Sequence, residues 1–116
     1  MKNADLYAED LFDNIVDLHD KAFAIMGVDK DSSKGKNIDS ANGILSFIKD
    51  NYKIDDTFSE MLDDLQVYID VNQDDFILTP DIVSDFVKAG DYIKASSFAK
   101  KDDILILLLT SLDMLE

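Results

Sequence analysis

The distribution of apolar residues predicts an all-α protein: a single-domain bundle of five or six helices over residues 1–116, with an apolar C-terminal helix at its centre. Three observations carry this. Apolar positions recur at three- and four-residue spacings along most of the chain, the period of one helix face. Helix-start chemistry stands before two of those stretches, at Thr57-Phe-Ser-Glu60 and at Thr79-Pro80-Asp81. No segment shows a convincing polar–apolar alternation, the mark of a half-buried strand.

The first helix is expected from about Ala4 to Met26, burying Leu11, Ile15, Leu18, Ala22 and Ile25, with Phe12, Phe23 and Met26 widening the stripe. Gly27 supplies a stop, because a helix commonly ends on a left-handed residue. The polar run Asp29 to Asn37 reads as a loop. A second helix, about Ser40 to Tyr52, is expected to bury Ile44, Leu45 and Ile48. The third starts at Thr57-Phe-Ser-Glu60, a capping box in which the Thr hydroxyl and Glu carboxylate each satisfy a free backbone N–H. Its inner face is Phe58, Met61, Leu62, Leu65 and Tyr68 or Ile69.

At Thr79-Pro80-Asp81 the threonine caps, proline fits the first turn and aspartate complements the dipole. That helix carries Ile82, Val83, Phe86 and Val87 and is expected to end at Gly90, with Asp91 to Ala99 forming a further turn or two. The last helix, about Lys101 to Leu115, is apolar nearly all round, which suits the middle of a bundle. Periodicity alone leaves Ile104 to Leu109 open to a buried strand. Its leucine content and the lack of a partner strand favour helix.

Charge is the most informative feature. Twenty-five acids against 11 bases give a formal net charge of -14. The acids are almost all Asp, every base is Lys, and there is no Arg to fork onto phosphates or base edges. Direct binding of nucleic acid or of an anionic membrane is disfavoured, and a basic protein would be drawn in. The N-terminal residues lack the apolar run of a signal peptide, and no run reaches membrane-span length, so a soluble, cytoplasmic protein is expected.

An enzyme is not expected. With no Cys and one His, thiolate catalysis and Cys- or His-clustered zinc have no ligands, and the four glycines form no phosphate loop. Tyr7, Tyr52, Tyr68 and Tyr92 read as core or rim residues. What remains is partner binding. Asp10, Asp13, Asp17 and Asp20 step by three, four and three, so all four carboxylates are expected to share one face of the first helix. Such like-charge pairs cost roughly 0.2–0.5 kcal/mol each, and Asp is a poorer helix former than Glu. A surface built only for solubility would use Glu with interspersed Lys. Asp63, Asp64, Asp74 and Asp75 extend the expected partner-binding set.

The segment Asp70 to Asp81 resembles the calcium loop of EF-hand proteins. Asp70, Asn72, Asp74 and Asp81 fall where that loop places side-chain oxygens, Phe76 where it uses a backbone carbonyl, and Ile77 at its apolar position. The resemblance implies Ca²⁺ as cofactor, with Asp70, Asn72, Asp74, Phe76 and Asp81 as ligands. Three departures count against it: Asp75 stands at the glycine of the sharp turn, Asp81 replaces the longer bidentate Glu, and Thr79-Pro80 starts the helix one residue late. A second such loop at Asp29 to Asn42 is interrupted by Ser33, Lys34 and Lys36.

Three functions follow. In size, helicity, acidity and lack of cysteine the chain is similar in type to bacterial immunity proteins and phage-encoded inhibitors. This implies no cofactor and a basic partner such as a toxin or nuclease. The alternatives are an EF-hand-like calcium module and a DNA mimic, the latter opposed by the 11 lysines.

Overall fold

The computed structural model describes residues 10–28, 38–71 and 79–115. Among these residues the fold is all-α, with five helices: α1 (Ile15–Met26), α2 (Ile38–Asn51), α3 (Asp56–Val71), α4 (Pro80–Ala95) and α5 (Lys101–Met114). α5 packs against α1, α2 and α4, and α3 closes the ring by packing against α2 and α4.

α5 is the hub, and Ile104 to Leu109 is helix rather than strand. Ile104, Leu105, Leu107, Leu108, Leu109 and Leu112 are buried on all sides of it. Its two buried hydroxyls are satisfied within the helix: Thr110 donates to the Ile106 carbonyl at 2.8 Å and Ser111 to that of Leu107 at 3.2 Å. A hydroxyl returned to the backbone costs no unmet hydrogen bond, so the hub can carry both. The main core joins α5 to Ala41, Ile44, Leu45 and Ile48 of α2, to Phe58, Leu62, Leu65 and Ile69 of α3, and to Ile82, Phe86 and Ile93 of α4. Leu18, Leu105 and Leu109 form a smaller cluster between α1 and α5, with Leu11 and Phe12 against it.

Helix ends depart from expectation in three places. The first helix is not continuous from its expected start at Ala4, a residue outside those described: residues 10–12 are helical, Asp13 and Asn14 form a turn, and α1 begins at Ile15. Asn14 causes the break. Its amide donates to the Asp10 carbonyl at 3.2 Å, its N–H to Leu11 at 3.1 Å, and its own carbonyl accepts from Leu18 at 2.9 Å to start the next helix. Asn competes with the helix in this way because its short amide reaches nearby backbone groups. The turn leaves Ile15, an expected core residue, exposed along with Val16. At the other end Gly27 behaves as expected, with φ 72°. The Gly27 N–H bonds Ala24 and the Val28 N–H bonds Phe23, the paired closure of a Schellman motif.

The second departure is the cap of α3. Asp55, not Thr57, is the N-cap: its Oδ1 accepts from the Phe58 N–H at 2.9 Å and its carbonyl from the Ser59 N–H at 2.9 Å. Thr57 lies exposed in the first turn. A capping box and an Asp cap two residues earlier look alike in a sequence this rich in Asp. Asp55→Ala is accordingly expected to lower the melting temperature clearly and Thr57→Ala hardly at all, as thermal unfolding followed by circular dichroism would show. Equal effects would refute the assignment.

The third departure is Gly90, which lies buried inside α4 and does not end it. Ile82, Phe86, Ala89, Gly90 and Ile93 form one inward stripe, so the expected separate turn at Asp91 to Ala99 is largely the last part of α4. Core burial along that stripe outweighs the roughly 1 kcal/mol that a mid-helix glycine costs. Val83, on the same helix, is exposed. The start of α4 is as expected, with the Ile82 N–H bonded to Thr79 Oγ1 at 3.3 Å and Pro80 in the first turn.

Candidate functional site

Aspartates close the seams between helices by accepting from aromatic side chains. Tyr92 on α4 donates its hydroxyl to Asp55 Oδ2 at the start of α3. Tyr68 on α3 pairs with Asp85 on α4, and Tyr52 beyond α2 with Asp103 on α5. His19 Nε2 of α1 lies 2.6 Å from Asp113 Oδ2 of α5, whose side chain is only 8% exposed. On sequence alone His19 had no assignable role, and it proves to be the polar tie between first and last helices. These pairs account for part of the preference for Asp: a short carboxylate presents its oxygens close to its own helix and fixes where they lie.

The same pairs shift ionisation. Hydrogen bonding to Asp55, then burial, raises the Tyr92 hydroxyl. Hydrogen bonding to Asp85 raises Tyr68, and burial, then the Asp103 charge, raises Tyr52. Asp55 is lowered, first by the Tyr92 hydroxyl and then by the Phe58 N–H. A raised tyrosine contributes stability below the ordinary phenol range and loses it as pH climbs through the raised value. A lowered carboxyl contributes above the ordinary carboxylate range and loses it as pH falls through the lowered value. The stability gap between wild type and Tyr92→Phe should therefore be widest near neutrality and narrow in both acid and alkali. Urea unfolding across pH would reveal it; a gap that stays constant would mean the pair is not formed.

The expected partner-binding aspartates divide. Asp10, Asp13 and Asp17 are exposed but do not line one helix face, because the Asp13–Asn14 turn breaks the register. Asp20 is half-buried in α1. Asp63 and Asp64 lie together on the outside of α3, where Lys49 of α2 bridges to Asp63. Asp74 and Asp75 lie outside the described residues, as do Asn72 and Phe76 of the calcium-loop reading. Of that loop's remaining positions, Asp70 lies in the last turn of α3 and accepts from Gln66 at 3.2 Å, and Asp81 sits exposed in the first turn of α4. Among the described residues no group of acidic or histidine side chains is arranged to hold a metal ion. No helix among them is long and apolar enough to cross a membrane.

The coherent charged surface is the outer face of α3. The helix carries five acids and no base. A step of about 100° per residue places Asp56, Glu60, Asp63, Asp64 and Asp70 within roughly a third of its circumference, and all five are exposed. Val67 and Val71 fall inside the same arc, 56% and 75% exposed. Val67 has Asp63 and Asp64 one turn before it, and Asp70 and Val71 one turn after. These valines are absent from the expected inner face of α3, and that omission was the available signal: apolar residues off the core stripe of a helix otherwise acidic on that side. Comparison with protein-family models, with curated proteins and with solved structures returned no match.

Proposed function

We propose that this chain is a non-enzymatic acidic binding protein of the immunity or inhibitor kind, which neutralises a basic partner such as a toxin or nuclease by docking the outer face of α3. The observation that carries this reading is the pair Val67 and Val71, exposed on the same face of α3 as five carboxylates, with no base on that helix. An apolar centre inside a charged rim is how energetic anchors are arranged in protein interfaces. The carboxylates steer a basic surface toward the valines and set orientation; desolvated apolar contact then holds it.

The test compares capture of basic proteins from the source cell's lysate by wild type, by Val67→Ser/Val71→Ser and by Asp63→Lys/Asp64→Lys, at low and high salt. A basic toxin or nuclease retained by wild type, weakened by the serine pair at both salts and lost with the lysine pair, supports the reading. Retention by all three proteins, or recovery of nothing basic at low salt, sinks it. Capture of several unrelated DNA-binding proteins would favour the DNA-mimic alternative.

A further inference from the structure

At the far end of α3 from the valine pair, an open cleft of about 440 Å³ is lined by Asp55, Tyr92, Ala95, Ser96, Ser97 and Phe98. Its apolar walls are two half-buried rings: Tyr92 and Phe98 have centroids 6.0 Å apart and planes inclined by 60°. Both rest on the fully buried Phe58, with centroid distances of 6.1 and 5.4 Å. Phe58 therefore fixes the pair from beneath while leaving the cleft side open. The carboxylate of Asp55 is at the edge of the cleft, held by the Phe58 N–H and the Tyr92 hydroxyl.

We infer that this cleft binds an organic cation, the ammonium or guanidinium group of a lysine or arginine side chain or a small quaternary amine. Inclined aromatic rings beside a carboxylate are an arrangement that recognises such groups, because the ring faces carry negative quadrupole charge, and a guanidinium or quaternary amine is less strongly hydrated than a primary ammonium. The backbone contributes in the same direction. α4 ends at Ala95, which places its C-terminal pole beside the cleft. The Lys101 ammonium donates to the Ser96 carbonyl at 3.0 Å, so part of that pole is already neutralised from within the chain. The positive pole at the start of α3 is countered by Asp55 and Asp56.

If the cation belongs to a protein, it is an anchor residue of the basic partner proposed above, and only that attribution rests on the earlier reading. Cation binding itself needs no partner and is tested without one. The probes are acetyl-arginine methylamide, acetyl-lysine methylamide and tetramethylammonium, with acetyl-citrulline methylamide as the neutral isostere of arginine. The readout is the ring proton shifts of Tyr92 and Phe98 by NMR.

Saturable shifts with the cations, and binding of citrulline weaker by roughly tenfold or more, are expected, a difference the size of one desolvated cation–π contact. Asp55→Asn should weaken the cations and leave citrulline unchanged, since Asn still caps the helix and accepts from Tyr92. Ser97→Lys, on an exposed position, should also weaken cation binding by adding a second positive charge at the cleft. Preference for the arginine or lysine probe would assign the site to a partner's side chain, and preference for tetramethylammonium to a free amine; each supports the inference. Absence of saturation, or equal response to arginine and citrulline, overturns it. That failure would leave the α3 valine surface and its capture test unaffected.

Discussion

Replacing Phe58 by alanine is expected to destabilise the protein by about 3–5 kcal/mol, the cost of emptying a buried aromatic site. That is a large part of the roughly 5–15 kcal/mol by which a domain of this kind is stable. Phe58 is fully buried and touches the rings of both Tyr92 and Phe98. Its backbone N–H is the one held by the Asp55 cap. Removing the ring leaves a cavity where α3 meets α4 and the turn into α5, and takes away the floor of the aromatic pair. Urea unfolding monitored by circular dichroism gives the number. A variant within about 0.5 kcal/mol of wild type, as for an exposed position, would show that these rings are not packed as described.

Leu107→Ala is expected to cost about 2–5 kcal/mol, and Val71→Ala to stay within about 0.5 kcal/mol of wild type. The contrast comes from placement. Leu107 is fully buried on the central helix, in the core shared with α2, α3 and α4, whereas Val71 projects from the end of α3 and is 75% exposed. Burial of apolar surface stabilises by about 25 cal/mol per Å², so a side chain that stays in water contributes almost nothing to folding. Paired urea titrations check this. Comparable losses at the two positions would mean that Val71 is covered within the monomer, and the proposed docking face would have to be abandoned.

Much of the bundle was legible from the residues. The inner faces of α2 and α3 were readable because their apolar spacing follows the helical period without interruption, and the start of α4 because Thr79, Pro80 and Asp81 each suit a different need of a helix terminus. The misread positions share a cause. Asn14, Asp55 and Gly90 are residues whose local preference points one way and whose outcome depends on what lies nearby. Asn14 could break a helix or ride on its surface. Asp55 and Thr57 were both competent caps. Gly90 suits a helix terminus, but Ile93 continues the stripe into the core.

The candidate sites were less legible still. Val67 and Val71 could be noted as apolar residues off the core stripe, but their place among five carboxylates needed the α3 register. The cleft could not be read at all, because Asp55, Tyr92 and Phe98 meet only through the packing of α3 against α4.

The sequence by itself determined the helical class, most of the core, the acidity and its concentration in aspartate, because composition and periodicity are local properties of the chain. Only the tertiary structure decided which aspartates are free to meet a partner. Asp55, Asp85, Asp103 and Asp113 turn out to be acceptors for Tyr92, Tyr68, Tyr52 and His19 across helix seams. Those pairings join residues as many as 94 positions apart, a distance that no local pattern encodes. A carboxylate in a list of residues looks the same whether it closes a seam or faces solvent, and only packing separates the two.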